Sequence, residues 1–272
     1  MTMTAFDWTS VAVGWDRHRV HVEAMKQPAT EALLHALRIA EGETVVELGA
    51  GTGELSRRIA GIVGPGRVVA SDVADGMVGL LSGTCAGLGN VEVRRLDATD
   101  VDLPDGSADA VVFRMGLMLL TEPDVALREI RRVLRPGGRA GIVVWAAPEH
   151  NPWMVAVGMA AMMHGLASVP PVAPGMPFSL AEPSKLRGLL VDAGFVDVAI
   201  QEVETPSTYA DAREHFDTVT ALACPLGAAI SAAPPEQVAA MRATAAEVVG
   251  PYRTDAGLVV PGRTLVAAAS VP

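Results

Sequence analysis

The stretch Thr44-Val-Val-Glu-Leu-Gly-Ala-Gly-Thr-Gly53 decides how this chain is read. Its first five residues are a short β-branched run of strand character. Glycines at 49, 51 and 53 follow at once, then a helical pattern over 54–63 that Gly64-Pro65-Gly66 ends. A strand, a glycine turn and a helix in this order bring backbone N–H groups to a helix start, and glycine lets a ligand approach that backbone closely. A plain strand-to-helix turn needs one glycine and leaves the alternation unexplained.

The spacing separates two kinds of ligand. A dinucleotide-binding turn reads G-x-G-x-x-G, and counted from Gly49 its last glycine falls on Glu54. Here the pattern is G-x-G-x-G with an acid, Glu47, just before it. A carboxylate at that point repels a diphosphate. The turn therefore favours a nucleoside linked to an amino acid, and a nicotinamide-dependent oxidoreductase is the weaker alternative.

Outward from the turn, strands and helices alternate. Strands are expected at 67–71, ending at Asp72, at 91–95, at 108–114 and at 139–146, with helices at 74–86 and 122–134. Upstream, helices are expected over 8–26 and 28–39, Pro28 suiting a first turn. Downstream, a helix at 182–193, a strand at 196–203 and a final strand at 264–270 resume the pattern. This order predicts an α/β fold of the Rossmann-like, doubly wound kind: a mostly parallel sheet with an antiparallel last strand. One domain is expected over 1–272, with its core at about 30–147, 182–204 and 259–272. N-terminal helices over 8–29 precede it, and helical lid insertions at about 148–181 and 205–258 interrupt it. The first insertion carries a helix from Trp153 to Leu166, a loop around Pro170-Pro171 and methionines 154, 159, 162, 163 and 176. Flexible apolar side chains suit a lid or a greasy pocket, and a dimer contact explains them equally well.

Bulk properties narrow the classes. The formal charge is −10 and no Lys/Arg block occurs, which disfavours nucleic acid. Cys85 and Cys224 fit neither a disulfide framework nor a metal-ligand spacing. No apolar stretch is long enough to span a bilayer, and the start MTMTAFDWTS is not that of a signal peptide. A soluble cytoplasmic enzyme without metal is expected.

Four blocks, in order, give the chain a family likeness: Glu47-Leu-Gly-Ala-Gly-Thr-Gly53; Asp72 with Met77 five residues on; Leu96-Asp97-Ala98; and Leu134-Arg-Pro-Gly-Gly138 with Ala193-Gly-Phe195 beyond it. Over about residues 30–204 the chain resembles the class I S-adenosylmethionine-dependent methyltransferases, in particular the ubiquinone/menaquinone-biosynthesis-like subgroup. The resemblance implies S-adenosyl-L-methionine as cofactor. It implies that Asp72 accepts the ribose hydroxyls, that Asp97 accepts from the adenine amino group, and that Ala98 donates its N–H to the ring. Glu47 and the backbone of Gly49, Ala50, Gly51, Thr52 and Gly53 would face the methionine end, beside Arg114 and Met115. Val73 or Met77 would pack on adenine or ribose, and Trp15 would close over the cofactor.

The acceptor is expected to be a small, largely apolar metabolite, with O-, N- and C-methylation all open. His150, after the fifth strand, and His18, on the leading helix, are the candidate bases. The alternative is a protein that binds the cofactor without transferring its methyl group.

Overall fold

The structure, a computed structural model, describes residues 6–168 and 171–272. Seven strands form one sheet: β1 (Thr44–Leu48), β2 (Arg67–Asp72), β3 (Val91–Arg95), β4 (Ala108–Arg114), β5 (Leu134–Trp145), β6 (Val196–Glu204) and, last in the chain, β10 (Arg263–Ser270). Their order is β3-β2-β1-β4-β5-β10-β6. The pairs from β3 to β5 are parallel, and β10 runs antiparallel between β5 and β6. The expected Rossmann-like sheet with its antiparallel last strand is the observed one. Order reverses between β1 and β4, so the carboxyl ends of β1, β2 and β4 frame a crevice in which ligands of open α/β sheets bind.

Helices cover both faces. α1 (Trp8–Arg17), α2 (Arg19–Leu37), α3 (Glu54–Val63), α4 (Asp75–Thr84), α5 (Pro123–Val133), α6 (Pro152–Met163) and α7 (Pro183–Asp192) follow chain order. Two buried clusters form beneath them. One joins Leu33, Leu37, Ile59 and Val63 to Val45, Val68 and Val112, and the other joins Leu127 and Ile130 to Val46, Val111 and Ile142. Alternate residues of β1 and β4 thus point to opposite layers, as a sheet buried on both faces requires. α2 approaches β5 at Gly141, where a Cβ would lie 2.6 Å from a methyl carbon of Leu33 and of Leu37. That glycine lets α2 sit close to the sheet and carry its middle turn to the crevice.

Three expectations need correction. The leading helices divide at His18, not after residue 26, and Pro28 lies inside α2 instead of at a helix start. A proline in a helix interior costs about 3 kcal/mol. Burial of the apolar Met25, Ala29 and Leu33 around it opposes that cost. The stretch 206–250, expected to be helical, is helical only from residue 212 onward. It begins with β7 (Ser207–Tyr209) and breaks into α8 (Ala212–Leu222), α9 (Leu226–Ala232) and α10 (Pro235–Val249). With β8 (Arg253–Thr254) and β9 (Gly257–Val260), β7 forms a small antiparallel sheet too short to show as a periodic pattern. The third concerns the insertion methionines. Met159, Met162 and Met163 are exposed on α6, which packs on α10 and α8, and they do not line the crevice. The loop expected around Pro170-Pro171 lies partly outside the described residues.

No described helix is long and apolar enough to cross a membrane. Among the described residues no cluster of His, Cys, Asp and Glu is placed to hold a metal ion.

Candidate active site

β1 ends in a turn whose three glycines all have positive φ: Gly49 at 61°, Gly51 at 58° and Gly53 at 88°. L side chains rarely take this conformation. The turn is pinned from two sides. Ala50 N–H donates to the Ser71 carbonyl at 2.8 Å, and Gly51 N–H donates to Asp72 Oδ2 at 3.0 Å. The other Asp72 oxygen accepts from Ala74 N–H at 3.1 Å. Burial raises the Asp72 pKa, and the N–H donors of Ala74, Gly51 and Val73 oppose the rise. Asp97 Oδ1 accepts from the backbone and hydroxyl of Thr99, at 2.9 and 2.8 Å, which fixes the loop after β3. Met115, just past β4, holds φ 67° while its N–H donates to Val143 O.

These pieces surround one cleft of about 950 Å³, its open mouth included. Of the residues singled out in the sequence, Trp15, Gly49, Ala50, Gly51, Thr52, Asp72, Val73, Met77, Asp97, Ala98, Arg114 and Met115 line it. Glu47 and Gly53 do not. Glu47 is buried behind the turn, where Ser56 Oγ donates to it at 2.5 Å and so ties β1 to α3. Gly53 caps α3, and a Cβ there would lie 2.8 Å from Leu81 Cδ1 on α4. Neither histidine lines the cleft. His18 joins α1 to α2, and His150 ends a single 3-10 turn after β5 with its Nδ1 buried and unpartnered.

Trp8, Lys26, Leu96, Phe113, Gly116, Leu119 and Leu120 also line the cleft and were not anticipated. Helical spacing makes Lys26 resemble a solvated face, and only the approach of α2 to the sheet buries it. Burial lowers the Lys26 pKa to about 8, with Glu23 opposing the fall. Burial would raise the Glu23 pKa, but Lys26 and Arg114 outweigh it and hold the group at about 2. Burial raises Glu47 to about 7 against the pull of Arg114 and Ser56. Arg114 donates both terminal nitrogens to Glu23, at 2.8 and 2.9 Å, and one of them to Thr30 Oγ1.

Residues 45–138 match the profile of a methyltransferase domain. The chain is 40% identical over 122 residues to a ubiquinone/menaquinone biosynthesis C-methyltransferase of Ectopseudomonas mendocina, a stretch covering 43% of this chain and 46% of that protein. Over this stretch the chain is similar to the S-adenosylmethionine-dependent methyltransferases. The match thus spans just under half the length of this curated relative. A solved S-adenosylmethionine-dependent methyltransferase from Aquifex aeolicus superposes with TM-score 0.53 at 26% identity, covering 66% of this chain and 87% of that one. The cyclase SpnF shares the fold, with TM-score 0.55 at 22% identity over 90% of this chain and 80% of that one.

S-adenosylmethionine is the cofactor of this methyltransferase class, and the cleft suits it. A buried carboxylate, Asp72, the backbone of Gly49 and Gly51, and two cations, Lys26 and Arg114, all line the cleft.

Proposed function

We propose that this methyltransferase transfers the methyl group of S-adenosylmethionine to a small, largely apolar metabolite. The observation that carries the reading is that the glycine turn, Asp72, Met77, Asp97, Ala98 and Met115 all line one cleft. In this reading Asp72 accepts the ribose hydroxyls, Asp97 and the Ala98 N–H hold adenine, and Val73 and Met77 pack on the nucleoside. The cofactor, once bound, supplies an activated methyl group on a sulfonium, so the hard chemistry is its own. The chain must hold an acceptor in line and exclude water, a contribution of up to about 7–11 kcal/mol in well-oriented systems. Phe113, Met115, Leu119, Leu120, Trp8 and Trp15 give the cleft apolar walls suited to that task. The relatives, C-methyltransferases of ubiquinone/menaquinone biosynthesis and a demethylmenaquinone methyltransferase, support carbon methylation of a quinone-type ring as the finer reading.

A second reading, cofactor binding without methyl transfer, draws on one observation: neither His150 nor His18 lines the cleft. Calorimetry with S-adenosylmethionine, S-adenosylhomocysteine and NADH tests the cofactor. Micromolar binding of both adenosyl ligands and none of NADH is expected, and NADH binding alone would sink the assignment. Labelled S-adenosylmethionine offered with demethylated quinols, reduced in situ, separates the two readings. Label in the quinol supports transfer, and cofactor binding without labelled product favours the second reading.

A further inference from the structure

Two buried polar atoms beyond the end of β5 have no hydrogen-bond partner among the described residues: Trp153 Nε1, at the start of α6, and His215 Nδ1, on α8. Trp153 is 5% exposed and His215 is fully buried. An unmet polar group in such a place is costly, and native chains keep few of them. The two residues touch, since His215 Nε2 meets the Trp153 carbonyl at 2.6 Å. A carbonyl only accepts, so Nε2 carries the hydrogen and Nδ1 of the neutral ring is left as an acceptor. Burial lowers the His215 pKa and so favours that neutral ring. The indole N–H only donates. A hydroxyl group answers both needs, because it accepts one hydrogen bond and donates another.

The surroundings narrow the class. The Trp153 ring packs edge-on against Trp145, the last residue of β5, at 5.2 Å, and the His215 ring against Tyr209 at 5.0 Å. Phe216 and Met25 are buried in the same apolar cluster. Met115 packs on that cluster and also lines the cleft. Its N–H donates to Val143 O, and Trp145 stands two residues further along β5, about 7 Å at the rise of a strand. Trp145, and with it the Trp153 ring, therefore stands beyond the cleft wall that Met115 forms. An unbranched methionine side chain can yield to an entering ring.

We propose that Trp153 and His215 form the acceptor subsite, holding the hydroxyl of a phenol- or quinol-class ring that enters from the cleft past Met115. This rests on the methyl-transfer reading above. The indole N–H donates to the ring oxygen, and His215 Nδ1 accepts the hydroxyl hydrogen. Rings with a free hydroxyl are thereby selected over their ethers. Trp145, Tyr209 and Phe216 supply the apolar walls. The bond to the Trp153 carbonyl fixes the His215 tautomer, and with it the direction of the preference.

The test is calorimetric titration of the full chain, saturated with S-adenosylhomocysteine, with 1-naphthol and with its methyl ether, which has no hydroxyl hydrogen. Wild type is expected to prefer the naphthol by about threefold to tenfold. His215→Gln keeps an N–H for the Trp153 carbonyl but removes the Nδ1 acceptor. It should abolish the preference by weakening the naphthol alone. Trp153→Phe keeps a ring against Trp145 and should weaken both ligands by a similar factor, since both carry the oxygen. Unchanged naphthol affinity in His215→Gln overturns the proposal and leaves the two atoms to a trapped water. If His215→Gln does not fold, Trp153→Phe and wild type still decide, and unchanged affinities in Trp153→Phe overturn the subsite. Equal affinity of wild type for the two rings, or binding of neither beside bound S-adenosylhomocysteine, overturns it with the cofactor reading intact. Binding of none of the three ligands overturns both.

Discussion

The carboxylate of Asp72 accepts the backbone N–H of Gly51 across 3.0 Å, so one side chain clasps the end of β2 to the glycine turn after β1. The clasp holds together two elements that line the cleft. It also leaves acceptor capacity on a largely buried carboxylate that lines the cleft, because the N–H groups of Gly51, Ala74 and Val73 use three of about four acceptor sites.

Asp72→Ala is expected to weaken S-adenosylhomocysteine binding by roughly 1–3 kcal/mol, the scale of leaving buried donors without an acceptor. Asp72→Asn should lose less, since its amide oxygen can still accept from Gly51. Calorimetry reads both. Wild-type affinity in Asp72→Ala would remove the ribose assignment.

Gly51 and Gly53 share a backbone conformation but differ in surroundings. A Cβ on Gly51 meets nothing within 4 Å and lies beside the cleft. On Gly53 it would meet Leu81 Cδ1 at 2.8 Å and Thr84 Cβ at 3.2 Å. Both alanine variants carry the left-handed penalty of about 1–2 kcal/mol. Gly51→Ala should therefore lose cofactor affinity beyond its stability loss, whereas Gly53→Ala should lose mainly stability. Thermal melts with and without S-adenosylhomocysteine separate the two, and equal ligand-induced shifts in both variants would contradict this division.

The contrast shows what the chain's sequence makes legible. The 44–53 stretch announces its strand, turn and helix because local chemistry decides them: β-branched residues, three positive-φ glycines and a clean helix stop. Asp72 is readable from its place at a strand's end. Lys26 is not, because its burial depends on α2 pressing on Gly141 more than a hundred positions away in sequence. The break at His18 is equally hidden: α1 leaves the axis of α2 to pack on α4 and α8, a tertiary preference that helical periodicity does not encode. The small sheet of β7, β8 and β9 draws its order from pairing between residues 207–209 and 258–260, distant in sequence.

Glu47 should leave a mark on the pH dependence of stability. Its native pKa is about 7 against an ordinary value of 4.5. Between those values the native state binds more protons than the unfolded chain, so stability falls as pH rises, by up to about 1.4 kcal/mol per unit. Glu23, held at about 2, acts in a separate window, where its stabilisation is lost as pH drops from 4.5 through 2. His18, His21 and His215, all lowered by burial, push stability upward with pH over part of the Glu47 range. The comparison must therefore be with Glu47→Gln. Urea midpoints from pH 4.5 to 7 should fall less, or rise, in the variant relative to wild type. Parallel profiles would mean that Glu47 is not protonated on burial.

Trp15 joins the cover of the cleft to the helical layer outside it. Its indole N–H donates to the Leu222 carbonyl at the end of α8, at 3.2 Å, and its ring meets Trp8 edge-on at 6.2 Å. α1 therefore holds two aromatic walls of the cleft, and part of its grip on α8 passes through one hydrogen bond. Trp15→Phe keeps a ring beside Lys26 but loses that bond, worth about 0.5–1.5 kcal/mol. Trp15→Ala also loses the wall and the cation–π contact with Lys26, which adds about 0.5–2 kcal/mol. If α1 must release α8 before a ligand leaves, S-adenosylhomocysteine dissociation should quicken in Trp15→Phe by roughly threefold to tenfold and further in Trp15→Ala, with association little changed. Stopped-flow fluorescence can follow this through Trp8, which remains in the cleft wall of both variants. Faster dissociation in Trp15→Ala alone would mean that the ring, and not the tether to α8, closes the site. Unaltered dissociation in both would mean that the ligand leaves without moving α1.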